Sequence, residues 1–452
     1  MIAIVVSRAD SASERIGEAL LDLADWTERH DEHRPDGEGG GTYYRTDGFE
    51  LRTFDELHIH LDRPDAAFDD PDLLVVVSRH SGETGALLTA HFTGNFGDAE
   101  YGGTVGEFAR ACPNAASVVV SALETHAPPA YEVGTECTHH GPTAVGVPSM
   151  FVELGSGETQ WSDPDGARAV ARAVLELRGV DADREKQVAG FGGGHYAPRF
   201  GRVVRETAWA VGHVAADWGL EAMGNPAANR DVLRRAVEAS GAGHVLVEGG
   251  RSGLADVLTD LGYRVVTETW LRETSAHPLP VVTAVEERLD PVAEGLRFGE
   301  VVPQVDDDPA DAVVVGSLPT ALVDAASAVD VEATRAAVAD ATVAFETTDG
   351  GTRPRGRVVL SADDPASVAE ELTDALAAIL RADYDDVTKQ GDEVVARTET
   401  FDPAAARTLG VPEGPAFGRL ADGEAVEVDG ERIDPDVVRT ERVERFPVVS
   451  PP

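Results

Sequence analysis

Over roughly the first 280 residues, apolar and polar positions fall into blocks that read alternately as strands and helices. Ile2–Val6 is an apolar run of strand length. Ser11-Ala-Ser-Glu14 has the form of a capping box, and Ile16, Leu20 and Leu23 follow it at helical spacing. Residues 34–48, rich in Gly and Asp, read as a surface loop. Leu73–Val77 and Ser117–Ala122 read as buried strands, with Glu124-Thr-His126 closing the second. Asp163-Pro164 opens a helix that carries Val170, Ala171, Val174 and Leu177, and Asn225-Pro226 caps another through Leu233 and Val237. Gln187–Phe191 is a strand running into Gly192-Gly193-Gly194, and His244–Val247 and Arg264–Thr267 are further strands. This alternation predicts an α/β fold, a three-layer α/β/α domain around a largely parallel or mixed sheet.

The pattern breaks at His277-Pro-Leu-Pro280. A chain of 452 residues has room for two or more cores. The expected division is a domain at 1–278, an acidic, Pro-containing linker at 279–311 that includes Asp306-Asp-Asp-Pro309, and a smaller α/β domain at 312–452. The last would contain strands at Ala312–Val315 and Ala425–Val428 and a helix opened by Asp364-Pro365. In that helix Val368, Leu372, Leu376, Ile379 and Leu380 make one apolar stripe, the pattern of core packing.

Composition narrows the setting. The formal net charge is −43, and Lys186 and Lys389 are the only lysines. The acid is spread over both halves, the pattern of a protein from a high-salt cytoplasm, where screening removes self-repulsion. Overall charge then says little about partners, and a local basic cluster says more. Cys112 and Cys137 are too few for a disulfide framework or a thiolate-rich zinc site. No run approaches the ~18–20 apolar residues of a membrane helix, and the N-terminus lacks the pattern of a signal peptide.

All thirteen histidines lie at or before His277, so acid–base or transition-metal chemistry belongs to the first domain. Five motifs stand out there: Ser78-Arg79-His80-Ser81, His91-Phe-Thr-Gly-Asn95, Thr138-His139-His140-Gly141-Pro142-Thr143, Phe151-Val-Glu153-Leu-Gly-Ser156, and Gly192-Gly-Gly-His195-Tyr-Ala-Pro-Arg199-Phe200. Singly, each histidine reads as structural. Together they have the character of a hydrolytic centre, in which imidazoles and carboxylates hold a metal and a retained water attacks. In an extended segment His139 and His140 would point opposite ways, leaving one of them for any given site. His58-Ile-His60-Leu-Asp62 reads as a strand with an exposed face, because Arg63 stands where a metallo-β-lactamase-type motif has another His. Residues 184–205 hold Arg184, Lys186, Arg199, Arg202 and Arg205 against the single acid Glu185. That cluster is either an internal ion-pair network or a phosphate-binding group.

The five motifs, in this order, resemble the archaeal and plant type of D-aminoacyl-tRNA deacylase over about residues 1–275. The resemblance implies a fold related to phosphorylase and peptidyl-tRNA hydrolase, a Zn²⁺ cofactor, a tRNA substrate and a cytoplasmic enzyme that hydrolyses the ester of D-aminoacyl-tRNA. It implies no membrane and no obligate protein partner. Carried onto this chain, His80, His91, His139 and His140 are the expected metal ligands. His195 and Glu153 are the expected acid–base groups, with the Gly193 and Gly194 amides on the oxyanion. Arg79, Arg199, Arg202 and Arg205 are the expected tRNA contacts. Residues 279–452 fall outside the resemblance, apart from Gly414–Leu420, which is similar to a tail motif of some tRNA 3′-processing nucleases. A metal-dependent hydrolase of small molecules and a non-catalytic tRNA-binding protein are the alternatives.

Overall fold

A computed structural model describes residues 1–305 and 308–450. Asp306 and Asp307, in the acidic stretch noted above, lie outside the described residues. The chain divides into two units, Met1–Ser275 and the residues from Ala276 onward.

The first unit contains, in order, β1 (Ile2–Ser7), α1 (Ser11–Leu23), β2 (Thr27–Asp31), β3 (Gly41–Thr46), β4 (Phe49–Phe54), β5 (Leu73–Ser81), β6 (Leu87–His91), α2 (Pro113–His126), β7 (Glu132–Thr135), β8 (Ser149–Ser156), α3 (Glu158–Trp161), α4 (Pro164–Leu175), β9 (Gln187–Phe191), α5 (Pro198–Glu206), β10 (Ala210–Ala215), α6 (Asp217–Met223), α7 (Arg230–Ala239), β11 (His244–Val247), α8 (Ser252–Asp260), β12 (Arg264–Val266) and α9 (Glu268–Glu273). Its strands form two sheets. The larger is mixed, in the order β2-β3-β4-β1-β5-β8-β6-β7; the smaller, β10-β9-β11-β12, is wholly parallel.

The two faces of the large sheet are covered differently. β1 is buried throughout. Ile2, Ile4 and Val6 pack with Val75 and Val77 beneath α1, α2 and α4, through Ile16, Leu20, Val119 and Val170. On the opposite face, Ala3, Val5 and Val76 pack with Leu61, Ala67 and Phe68. There the cover comes from two short 3₁₀ turns at His58–His60 and Pro64–Ala67. Period-two alternation makes both sets possible on one strand.

Several sequence expectations are corrected. Ser117–Ala122 is the middle of helix α2, and Glu124–His126 is its end. Its neighbours Pro113, Ala115 and Leu123 extend the apolar pattern to helical length, and Pro113 suits a helix start. Asp10 caps α1, its carboxylate accepting from the N–H groups of Ala12 and Ser13, so Ser11 is already inside the helix. Residues 41–46, expected in a loop, form β3, whose pairing with β2 and β4 supplies what its polar sequence does not. Asn225-Pro226 forms a turn, and the following helix starts at Arg230 with Asn229 at its cap. His58-Ile-His60 is a 3₁₀ turn with His58 buried, where an exposed strand was expected.

The second unit is also α/β. The helix Pro365–Leu380, capped by Asp364, buries Leu372, Leu376 and Leu380. Its strands form sheets of four, three and two strands. The 279–311 stretch, expected as linker, holds the helix Leu279–Glu286 and a strand, Leu296–Phe298, paired with Ala344–Thr348.

Ile16 is fully buried between α1 and the sheet. Ile16→Ala is therefore expected to cost about 2–5 kcal/mol, read as a lower denaturation midpoint at constant salt.

Candidate active site

Five pieces of chain meet where the two sheets of the first unit adjoin. His80 lies near the end of β5, Glu153 on the adjacent β8, and His91 closes β6. In register, Ser78 and Thr89 flank Glu153, and His80 lies beside Gly155. A Cβ on Gly155 would collide with the His80 side chain, so only glycine lets that imidazole lie against β8. Glu136 follows β7, and His195 follows β9. The segment between Glu136 and His140 is pinned to the smaller sheet: the Cys137 N–H donates to the His195 carbonyl at 2.7 Å and the Thr138 N–H to Val214 at 2.8 Å. His213, buried behind it, bonds Thr138 Oγ1 at 3.0 Å and the Ala109 carbonyl at 2.8 Å, a structural role.

His139 and His140 both enter the site. His140 has φ +44°, a left-handed turn that breaks the alternation expected of an extended segment. One ring nitrogen from each of His91, His139 and His140 lies within 4.8 Å of the other two. In all three rings Nδ1 is directed at a backbone carbonyl: Phe92 at 3.2 Å, Cys137 at 2.8 Å and Gly141 at 2.6 Å. A carbonyl only accepts, so Nδ1 carries the proton and Nε2 presents its lone pair. Two further such groups occur: Cys137–His139–His195, which shares His139 with this one, and His80–Glu136–Glu153.

Glu136 and Glu153 are 3% exposed each. Glu153 accepts from Ser78 Oγ at 2.8 Å, and Glu136 bonds His195 Nε2 at 2.8 Å. His80 Nδ1 stands 3.1 Å from Glu136 and 3.5 Å from Glu153, and His91 Nε2 stands 3.4 Å from Glu153. His91 Nε2 and Glu136 Oε1 nevertheless have no hydrogen-bond partner. Burial disfavours charge on both carboxyls, but His195 and His80 at Glu136, and His80 and His91 at Glu153, hold each below the usual carboxylate range. Burial also opposes the His80 cation, yet the two carboxylates outweigh it and push His80 up to about 10. His140 goes the other way, pushed down to about 3 by burial and then by His91. Two buried carboxylates require compensating positive charge. Orphaned nitrogen and oxygen atoms aimed at one space, in a set of imidazoles, carboxylates and a thiol, fit a metal such as zinc.

Glu136 and Cys137 were missed by sequence reasoning. The available signal was an acid three residues before His139, directly upstream of a motif read as starting at Thr138. Tyr196 was also missed; its hydroxyl lies 3.2 Å from His80 Nε2.

The oxyanion and phosphate expectations are corrected in part. The Gly193 N–H is already taken by Asp217 Oδ1 at 2.8 Å, so it is no oxyanion donor. Gly194 faces open space. Arg199 and Arg202 both pair with Glu268, at 3.1 and 2.8 Å, and Arg205 pairs with Glu124. These three cations are neutralised on the surface around α5 and α9, as an ion-pair network. Arg79 differs. It makes no ion pair among the described residues, its guanidinium lies 5.2 Å over the Trp161 ring, and it lines a cavity of about 410 Å³ with His80, Ser81 and Glu153.

A buried imidazole–carboxylate cluster beside open cavities, at strand ends of an α/β unit, has the character of a hydrolytic centre, with residue groups that could hold a metal. The comparisons narrow the class. The D-aminoacyl-tRNA deacylase family profile matches residues 67–266. Proteins named D-aminoacyl-tRNA deacylase from Halorubrum lacusprofundi and Natronomonas pharaonis are each 54% identical, covering 100% and 99% of this chain and 97% and 100% of theirs. One from Methanoculleus marisnigri is 31% identical over 90% of this chain and 92% of its own. A crystal structure of a conserved protein of unknown function has a TM-score of 0.55 at 29% identity, covering 60% of this chain and 96% of its own. The chain belongs to the D-aminoacyl-tRNA deacylase family. The second unit, expected to fall outside the resemblance, lies within what these relatives share.

Glu268 is held down to about 2 by Arg202, against its burial, with help from Arg272 and Arg199. Its stabilising contribution is full above the ordinary carboxylate value of 4.5 and is lost as pH falls toward 2. Glu268→Gln should cost on the order of 1 kcal/mol near neutral pH. The stability gap between the two proteins should close below pH 4.5 in acid titrations of Tm.

Proposed function

We propose that the His80–His195 cluster is the active site of a D-aminoacyl-tRNA deacylase, which hydrolyses the ester between a D-amino acid and the 3′-terminal ribose of tRNA. The observation that carries this reading is the convergence of His91, His139 and His140 beside two buried carboxylates, in a chain of this family. The reading implies a cytoplasmic protein, and an α/β/α layering of the phosphorylase and peptidyl-tRNA hydrolase kind.

His91, His139 and His140 would hold a zinc ion through Nε2, with Glu136, Glu153 and His80 on the adjoining side. When bound, the ion would supply Lewis acidity to the ester carbonyl and lower the pKa of water. His195 is oriented through Nε2 on Glu136, so Nδ1 is the atom that takes the proton of the attacking water and returns it to the ribose oxygen. The Cys137 sulfur lies 3.5 Å from that Nδ1. Glu153, fixed by Ser78, keeps His80 and His91 in position. With the Gly193 N–H taken, the Gly194 amide is the one of the pair left for the developing oxyanion. Arg79 attracts the terminal phosphate.

Release of amino acid from D-Tyr-tRNA, but not from L-Tyr-tRNA, is expected in concentrated KCl. It should be lost with a chelator and restored by zinc, with one or more zinc ions per chain by elemental analysis. His195→Ala should lower kcat by about 100-fold or more while leaving Tm and bound zinc near the wild-type values. Equal release of D- and L-tyrosine would refute the assignment.

Arg79→Ala should raise KM for D-Tyr-tRNA by about five-fold or more, an effect that weakens as salt rises. Arg199→Ala should lower Tm and leave KM near its original value. A KM effect at Arg199 that matched the one at Arg79 would restore the basic cluster as a tRNA contact.

A further inference from the structure

Few aromatic side chains of this protein face solvent. Among five Trp, seven Tyr and 14 Phe, two in the described residues are strongly exposed: Tyr101 at 67% and Trp218 at 49%. Both wall the same cavity of about 370 Å³, whose floor includes His139, His140 and His195. On a surface otherwise rich in carboxylates, two aromatic rings at the mouth of the reactive centre are costly to leave in water without a ligand to cover them.

The segments that carry the two rings are held in place. Tyr101 sits on the loop between Phe96 and Gly106, and its carbonyl accepts the Gly141 N–H at 3.0 Å. Asn95 Nδ2 donates to the Gly102 and Thr104 carbonyls at 3.0 and 3.4 Å, and the Thr104 N–H donates to Thr143 Oγ1 at 3.0 Å. Gly102 and Gly103 have φ of +83° and +77°, and a Cβ at either would run into Ile59 or Thr143, so the loop can pass this close only with glycines. Trp218 opens α6 beside Asp217, which is bonded to Gly193 and Arg251 at 2.8 Å each. The backbone that carries each ring is thus anchored, while much of the ring's surface stays open.

We propose that Tyr101 and Trp218 form the stacking platform for the terminal adenine of the tRNA acceptor end, a deepening that rests on the deacylase reading above. The 3′ end of tRNA is single-stranded, and unpaired bases are bound by aromatic faces. Tyr101 also borders the neighbouring cavity that Arg79 lines, and His139, His140 and His195 line both. A nucleotide lying across Tyr101 therefore puts its base on the aromatic side, its 5′-phosphate toward Arg79, and its ribose ester over the histidines. Asp98 and Glu100, exposed on the aromatic side, repel a phosphate there and favour this direction.

The test is equilibrium binding of the trinucleotide CCA to the full chain in concentrated KCl, beside the same trinucleotide lacking its terminal base. The wild type should bind CCA more tightly than the abasic form. Trp218→Ala and Tyr101→Ala should each weaken CCA by about five- to 100-fold and narrow the difference between the two ligands. Trp218→Phe, which keeps a ring, should retain most of it, and Tm reports folding throughout. Equal wild-type binding of the two trinucleotides, no measurable CCA binding, or an unchanged difference in both alanine variants would overturn the proposal. So would Trp218-dependent binding of D-tyrosinamide in place of CCA, since the rings would then hold the amino acid. Hydrolysis of D-Tyr-tRNA by the wild type is measured separately, so failure of the deacylase reading shows there and not in the trinucleotide comparison.

Discussion

Two carboxylates, Glu136 and Glu153, sit almost without solvent within reach of the same imidazole. Everything around them answers that constraint. Buried negative charge of this density persists only beside fixed positive charge, whether protons on histidine or a bound cation. The surrounding rings divide accordingly. His80 faces both carboxylates and is driven toward the charged form, while burial keeps His139 and His140 neutral. Neutral imidazoles with Nδ1 tied to the backbone are ready donors, and the carboxylates supply the field that attracts an ion. In the proposed function, one buried arrangement thus serves both to hold a metal and to orient a proton acceptor, His195, on Glu136.

The scaffold makes that arrangement stiff. β5 and β8 run parallel in the centre of the large sheet, and β6 runs antiparallel to β8. Side chains from three strands therefore project from positions fixed by backbone ladders. The second sheet adds His195 at the end of β9 and clamps the 137–138 segment through backbone hydrogen bonds. The ion pairs of Arg199 and Arg202 with Glu268, and of Arg272 with Glu206, tie α5 to α9. In a protein this short of lysine, arginines near the site are not automatically ligand contacts. Their forked guanidiniums also serve to neutralise the carboxylates that crowd the surface.

Much of this was legible along the chain. Apolar runs at β1, β5, β9 and β11 declared themselves, because a strand buried on both faces needs an unbroken apolar string. Caps at Asp163 and Asp364 were equally plain, since a carboxylate before proline satisfies the first free amides of a helix. Helix α2 was misread because its middle, Ser117–Ala122, is rich in valine and resembles a strand over six residues. Strand β3 was hidden because its sequence is polar and its pairing comes from neighbours on both sides.

The site divides along the same line. Residue type fixed which groups could do chemistry: the histidines are confined to the first 277 positions, and His80, His91, His139, His140, Glu153 and His195 stand in recognisable Gly-flanked motifs. Geometry decided the rest. A left-handed residue at His140 turned two neighbouring imidazoles toward one point, against the alternation that an extended chain imposes. Burial promoted Glu136 from one acid among 81 Asp and Glu to the partner of His195. Glu268 and Glu124 pair with three of the arginines, whereas Arg79 has no ion pair among the described residues. Sequence determines chemical capacity and local periodicity, which depend on residues a few positions apart. Distances between residues 50 to 120 positions apart exist only once the two sheets have packed, and charge, proton position and ligand geometry all follow from those distances.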